Sequence, residues 1–185
     1  MLPIVAETER LTLRIWAGSD REAYAQHCNQ PRVMKWLGGI EEPEELDDDV
    51  DWFIECHERF GHTLWVVERK GDGAFLGFTG LDKLRIESGE IPAMLHDRVE
   101  VGWRLRSDMW GRGYATEAAY VSLDIAFRVR RLPSVVSRIH PKNAASIRIA
   151  FKLGLERSPD LETQRGLRVY RIDRKTWFAQ SNRGY

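Results

Sequence analysis

A glycine-containing segment joins a predicted strand to a predicted helix and has the sequence Trp110-Gly111-Arg112-Gly113-Tyr114-Ala115-Thr116-Glu117-Ala118. Its two glycines let the backbone approach a ligand closely, because glycine has no Cβ. The first amide groups of a helix have no partner within the helix, and the helix dipole attracts anions to them. A Ser, Thr, Asp or Asn usually caps these donors, but residues 110–113 include none of them. With Arg112 alongside, the turn is predicted to bind a phosphate group.

Two common phosphate-binding motifs fit this turn poorly. A Walker loop requires Gly-Lys followed by Ser or Thr, and the turn has no lysine. A dinucleotide-binding turn requires Gly or Ala at the position that Thr116 occupies. Two glycines by themselves would also be explained by a tight turn that binds no ligand.

The hydrophobic pattern around the turn predicts a parallel strand–helix–strand unit. Strand Val99–Leu105 comes first, helix Tyr114–Val129 follows, and strand Ser134–Ile139 completes the unit. Gly102, inside the first strand, indicates a bulge or a close approach of another element. A further helix is predicted over Asn143–Leu153, with Gly154 as its stop.

Further strands and helices are predicted on both sides of this unit. In chain order they are strand Arg10–Trp16, helix 19–28, helix Pro31–Leu37, helix Pro43–Arg59, strands Thr63–Arg69 and Phe75–Leu84, a loop over 85–98, and strands 155–158 and 167–172. This mixture predicts an α/β (α+β) architecture. Because the 185 residues contain no linker-like tract, we expect one domain over residues 1–185.

Composition excludes several classes of protein. The chain is 43% hydrophobic and 30% charged, which is typical of a globular protein. No apolar run approaches the ~18 residues of a membrane helix, and the first residues lack the basic start of a signal peptide. Cys28 and Cys56 are too few for a disulfide framework. We therefore expect a cytoplasmic protein with no membrane partner.

Charge is divided unevenly between the two halves of the chain. Residues 1–100 contain 11 Lys and Arg against 21 Asp and Glu, whereas residues 101–185 contain 17 against 7. The basic half fits a phosphorylated ligand and the acidic half a cationic one, although two solvated faces that happen to differ would give the same counts. Nucleic acid is a poor fit, since the net charge is zero and the longest basic cluster is Arg128–Arg131.

The turn at residues 110–118 resembles the acetyl-CoA-binding motif of GNAT-superfamily N-acetyltransferases, especially the RimJ/RimL-like branch of ribosomal-protein N-acetyltransferases. That branch has Trp where the wider superfamily has Gln or Arg, and Trp110 stands there in this chain. Four further segments are similar to the family and follow in the same order: residues 9–14, 99–103, 143–146 and 154–155. The resemblance therefore covers nearly the whole chain.

The resemblance implies a GNAT-like fold, with a mixed, mostly antiparallel sheet flanked by helices. Two parallel strands, 99–105 and 134–139, would splay apart around the pantetheine arm of acetyl-CoA. Backbone groups on the first strand would pair with that arm, at Trp103, Arg104 and Leu105. Amides of the turn would hold the pyrophosphate, at Gly111, Arg112, Gly113, Tyr114, Ala115 and Thr116. The family moves acetyl directly from the thioester to an amine, without a covalent enzyme intermediate.

Direct transfer requires a base for the amine and a proton donor for the leaving thiolate. The resemblance implies Glu100 as the base; a carboxylate that only pairs with an arginine is the alternative. Many superfamily members use a tyrosine for the thiolate, but Ala150 stands at that position, and the branch implies Ser146 instead. Asn143 would bond the pantetheine arm, and it is equally suited to cap a helix.

Of all parts of the predicted site, the sequence defines the binding site for the acceptor amine least well. The resemblance implies that the early helices shape it, which nominates Trp36 and Trp52, while His140 ends a strand near the site. The acceptor would be a primary amine, on a protein N-terminus or a small molecule, and the acidic first half favours a cationic one. The five histidines show no metal-ligand spacing, so no metal is expected.

Two other functions stay open at this point, as do a monomer and a homodimer. The missing tyrosine leaves room for an acyl-CoA-binding sensor or interaction module that has no catalytic activity. A different phosphate-handling enzyme, such as a nucleotide transferase, would bind ATP tightly without competition from CoA.

Overall fold

The structure is a computed structural model that describes residues 2–83, 98–162 and 166–181, with the backbone alone for Ser181. The predicted loop over 85–98 lies outside these residues except for Arg98. The strands are β1 (Ile4–Glu7), β2 (Leu11–Arg14), β3 (Leu64–Arg69), β4 (Phe75–Lys83), β5 (Val99–Leu105), β6 (Ser134–Ile139), β7 (Glu156–Arg157) and β8 (Arg168–Asp173). The α-helices are α1 (Asp20–Cys28), α2 (Pro31–Met34), α3 (Pro43–Phe60), α4 (Tyr114–Asp124), α5 (Ala144–Lys152) and α6 (Arg174–Ser181).

These strands form one mixed sheet in the order β1-β2-β3-β4-β5-β6-β8-β7. Each neighbouring pair is antiparallel except β5 and β6, which are parallel. That parallel pair is in register only at Val99–Val135 and Glu100–Val136, so most of each strand has no partner across the pair. The predicted fold class, a mixed and mostly antiparallel sheet with two splayed parallel strands, is confirmed.

Helices cover both faces of the sheet, as the alternation along β3 shows. Trp65 and Val67 pack into the core beneath α4, α5 and α6, whereas Val66 packs into a second core with α1 and α3. Neighbouring residues of a strand point to opposite faces of the sheet. A strand that is buried on both faces therefore has apolar residues at consecutive positions.

Several element boundaries differ from the prediction for physical reasons. Strand β1 is short and half-exposed and α6 is mostly polar, so neither gives a clear hydrophobic period. The predicted helix Tyr114–Val129 is α-helical only to Asp124 and continues as a π-helix over Ile125–Val129. The wider turn changes which side faces the core, and Val129, its last residue, is 69% exposed.

Gly102 marks a close approach and not a bulge. Strand β5 pairs with β4 from Gly77–Leu105 to Lys83–Val99 without a register shift. A Cβ at Gly102 would lie 3.3 Å from Leu64 Cδ2. The divergence of β5 and β6 therefore does not arise from an extra residue in the β4–β5 ladder.

Candidate active site

A cleft of about 650 Å³ opens where β5 and β6 separate. Its walls come from the end of β5, the turn after β5, the first turns of α4 and α5, and the segment around α2. The predicted site residues that line it are Trp36, Trp103, Arg104, Leu105, Gly111, Gly113, Tyr114, Ala115, Thr116, Asn143 and Ser146. Arg112, Glu100 and Trp52 do not line it.

The N-terminus of α4 faces this cleft with its amides uncapped by side chains. Gly113 is the N-cap residue, with φ of +83°, and no side chain forms a cap hydrogen bond there. Gly111 also has a positive φ, of +78°, and a Cβ there would meet nothing within 4 Å. Positive φ strains residues that carry a Cβ, so the two glycines allow the open turn that the sequence predicted.

A hydrogen bond from Trp110 connects this turn to the end of β5. The Trp110 Nε1 donates to the carbonyl of Leu105 at 2.7 Å, and the Arg32 guanidinium lies over the Trp110 ring, 5.3 Å from the centroid. The carbonyl of Leu105 therefore already accepts one hydrogen bond, from Trp110.

The side chain of Arg104 turns away from the cleft. Its Nη1 donates to the hydroxyl of Tyr24 at 2.6 Å and lies 3.3 Å from a carboxylate oxygen of Glu41. The guanidinium also lies over the ring of Phe78, 5.2 Å from its centroid. The Arg104 carbonyl faces β4 and α1: a Cβ on Gly77 would lie 2.2 Å from its oxygen, and Cys28 Sγ lies 4.0 Å from it.

Three predicted residues, Trp103, Asn143 and Ser146, meet at the first turn of α5. Asn143 caps that helix, since its Oδ1 accepts the Ser146 amide at 3.2 Å. The Ser146 hydroxyl oxygen accepts the indole Nε1 of Trp103 at 3.3 Å. Because the oxygen acts as an acceptor in that bond, the hydroxyl proton is available to another group. Ala150, at the position of the absent tyrosine, is fully buried.

Glu100 is engaged by Arg138. One carboxylate oxygen accepts the backbone amide of Arg138 at 2.7 Å, and the other accepts its Nε at 2.9 Å. The Glu100 side chain is 14% exposed. This is the arginine-paired carboxylate that the sequence left open as the alternative to a base.

The two tryptophans nominated for the acceptor side are not together. Trp36 lines the cleft and stacks on His140, with ring centroids 4.6 Å apart and planes 19° apart. Trp52 lies on α3, packs against the second core and donates from Nε1 to Asp82 at 3.4 Å. Stacking thus joins the segment after α2 to the residue that follows β6.

Basic side chains dominate the charge of the cleft. Those that line it are Arg32, Lys35, Lys142, Arg148 and Lys152, and no Asp or Glu of the described residues joins them. Sequence analysis missed this group, although Arg148 and Lys152, four residues apart on α5, share a helix face. Uncapped amides and this positive lining fit the diphosphate and phosphate groups of CoA.

Residues 2–83, 98–162 and 166–181 contain neither a metal-ligating cluster nor a membrane-spanning helix. No group of three or more His, Cys, Asp or Glu in these ranges could hold a metal ion. Every helix in them is too short or too polar to span a lipid bilayer.

Comparison with known proteins agrees with this geometry. The uncharacterized protein YkkB of Bacillus subtilis (strain 168) is 32% identical over 152 residues, which cover 82% of this chain and 84% of YkkB. An acetyltransferase structure from Agrobacterium tumefaciens str. C58 is 29% identical and superposes with a TM-score of 0.79 over 93% of this chain and 95% of that one.

A ribosomal-protein-S5-alanine acetyltransferase from Vibrio fischeri shares the fold, with a TM-score of 0.69 at 19% identity over 93% of this chain and 97% of that one. At this identity the likeness shows a shared fold. The model of the acetyltransferase (GNAT) domain matches residues 10–156. The chain therefore belongs to the GNAT family of acetyltransferases.

Proposed function

We propose that this protein transfers an acetyl group from acetyl-CoA to a primary amine by direct attack of the amine on the thioester. One observation carries the proposal: the uncapped N-terminus of α4 opens onto a basic cleft at the point where β5 and β6 stop pairing. That arrangement provides donors for a diphosphate and an unpaired strand edge for an extended amide-bearing arm.

Different groups of the chain bind different parts of the coenzyme. Amides at the start of α4, from Gly113 to Thr116, hold the diphosphate. Backbone groups at the end of β5, between Trp103 and Leu105, pair with the amides of the pantetheine arm, as an added strand would. Asn143, while capping α5, orients the helix turn that carries Ser146.

In the transfer step, the amine nitrogen forms a bond to the thioester carbon, the carbon–sulfur bond breaks, and the amine loses a proton. Ser146 donates its hydroxyl proton in a hydrogen bond to the departing sulfur, because Trp103 already supplies the bond that its oxygen accepts. Glu100 receives the amine proton through water, since both of its oxygens already accept bonds from Arg138.

On the acceptor side, Trp36 stacked on His140 forms the wall that the amine meets. The acidic first half of the chain steers a cationic amine toward the protein as a whole, and not toward this wall in particular, since the Lys35 ammonium lies over the Trp36 ring. We place the reaction in the cytoplasm, as the sequence predicts.

Calorimetric titration with acetyl-CoA, followed by a thiol-release assay over a panel of amines, tests the proposal. The panel includes N-terminal peptides, polyamines and aminoglycosides. We expect binding at or below tens of micromolar and thiol release with at least one amine. No binding in that range would contradict the proposal. Binding without thiol release on any amine would support a sensor, and ATP binding without competition from CoA would support a nucleotide transferase.

A further inference from the structure

Arg10, at the start of β2, reaches across to the turn that precedes α4. Its Nη1 donates to the carbonyl of Arg112 at 3.1 Å, while its Nε and Nη2 donate to Glu117 at 2.7 and 2.5 Å. The guanidinium also lies over the Tyr114 ring, 4.6 Å from the centroid. One arginine thus contacts the turn and the first turn of α4 at three places.

Glu117 is held from a second direction as well. The hydroxyl of Thr8 donates to its Oε1 at 2.5 Å, and the backbone amide of Arg10 donates to the same oxygen at 3.3 Å. Residues 8–10 therefore form a bracket around this carboxylate. The bracket connects the beginning of the chain to a helix more than a hundred residues later.

The contact with Arg112 orients a peptide bond of the turn. The Arg112 carbonyl and the Gly113 amide belong to one planar trans peptide and point in opposite directions. Since Arg10 binds the carbonyl, the amide points away from Arg10. Gly113 lines the cleft, whereas the Arg112 side chain does not, so this turn contributes backbone to the cleft.

The contact with Glu117 removes a charge repulsion at the N-terminus of α4. A carboxylate in the first turn of a helix is favourable in itself, but it repels a second anion bound at the same helix end. Arg10 neutralises that carboxylate through two hydrogen bonds. The amides of α4 can then attract a diphosphate without opposition from Glu117.

We infer that Arg10 is a positioning residue for the diphosphate, because it neutralises Glu117 and directs the Gly113 amide. This inference rests on the proposed function. Arg10 does not line the cleft, so it acts through the turn and not by touching the ligand.

Calorimetry with CoA tests the inference on Arg10→Met, Glu117→Gln and the double variant. Arg10→Met is expected to raise the Kd for CoA about tenfold, with a smaller effect at high salt. Glu117→Gln alone should leave the Kd within about twofold of wild type, and the double variant should bind at least about threefold tighter than Arg10→Met. Arg157→Met, which breaks another two-bond arginine–glutamate pair, with Glu162, is the matched control and should bind CoA normally.

Acetyl-pantetheine, which lacks the diphosphate, separates this role from a merely structural one. Its turnover should fall less than about twofold in Arg10→Met, whereas kcat/KM for acetyl-CoA falls about tenfold. Unchanged CoA binding in Arg10→Met, an equal loss with both donors, or a double variant no tighter than Arg10→Met would each overturn the inference. A wild type that fails to bind CoA would overturn the proposed function and the inference together.

Discussion

Glu100 on β5 binds Arg138 on β6 at the point where the two strands stop pairing. Val136 is the last residue of β6 in register with β5, and Arg138 lies two residues further along the same edge. The Arg138 amide, which would continue the ladder, donates to the Glu100 carboxylate at 2.7 Å. A side chain therefore takes the place of the next backbone pair, and the β5 residues that line the cleft, Trp103 to Leu105, lie beyond this point.

Replacing Glu100 distinguishes a role as the catalytic base from a role in spacing strands β5 and β6. If Glu100 receives the amine proton, Glu100→Gln lowers kcat by on the order of a hundredfold, the usual scale for a general base, with little change in the Kd for CoA. Arg138→Met keeps the carboxylate and should cost less than about tenfold in kcat. Equal losses of kcat in the two variants would show that the pair only spaces the strands.

Replacing Gly113 tests the anion site at α4. Gly113→Glu introduces a carboxylate at an uncapped helix end, and we expect no measurable binding of CoA by calorimetry. Gly73→Glu is the matched control, because Gly73 also has a positive φ and open space around its Cβ position. Both variants carry a backbone penalty of about 1 kcal/mol. Loss of binding in both, or in neither, would contradict an anion site at Gly113.

Replacing Ser146 separates its hydroxyl from its backbone. Ser146→Ala keeps the amide that Asn143 caps, so the melting temperature should change little while kcat falls about tenfold through loss of the bond to sulfur. Asn143→Ala removes the cap and should cost about 1 kcal/mol of stability. Thermal melts and steady-state rates with one amine measure both effects. A destabilised Ser146→Ala with normal kcat would make the hydroxyl structural.

Replacing the two tryptophans tests which one meets the acceptor. Trp36→Ala removes the stack on His140 and should raise KM for the amine with little change in stability. Trp52→Ala removes packing against the second core and should cost about 2–4 kcal/mol of stability with KM unchanged. Urea unfolding and amine saturation curves separate the two outcomes, and a KM effect confined to Trp52→Ala would reverse the assignment.

The bracket around Glu117 predicts a pH dependence of stability. Burial alone would raise the pKa of Glu117, but hydrogen bonds from Thr8 and Arg10 outweigh it and hold the pKa below its ordinary value. A lowered folded-state pKa stabilises the fold above the unfolded value of about 4.3, and that contribution is lost as pH falls through the folded value. Wild type should therefore exceed Glu117→Gln in stability at pH 7, with the gap narrowing below about pH 4. A constant gap in urea unfolding from pH 7 to pH 3 would contradict this.

Local residue types predicted the parts of the site that depend on backbone conformation. Gly111 and Gly113 require positive φ, and Asn143 is a good helix cap, so both turns follow from short stretches of sequence. The family resemblance added the order of the strands and the cleft between them. These features are the ones that the structure reproduces most closely.

Long-range partners could not be predicted in the same way. The sequence shows that Glu100 is a strand carboxylate, but only the register of β5 and β6 brings it to Arg138. Similarly, Trp36 and Trp52 both lie in the early helical region, and packing decides that Trp52 turns to the core. In the sequence, Arg10 is an ordinary strand residue, because only the fold brings it into contact with Glu117.

The two register pairs between β5 and β6 have a mechanical consequence. Strands β1–β5 form one part of the sheet and β6, β8 and β7 another. Within the described residues, strand pairing between the two parts is confined to Val99–Val135 and Glu100–Val136, and the Glu100–Arg138 contact lies just beyond it. A pantetheine arm bound as proposed would lie along this boundary and join the two parts, which would stabilise the folded state by linkage; the molecule would then be more rigid with the acyl donor bound than after the thiol leaves.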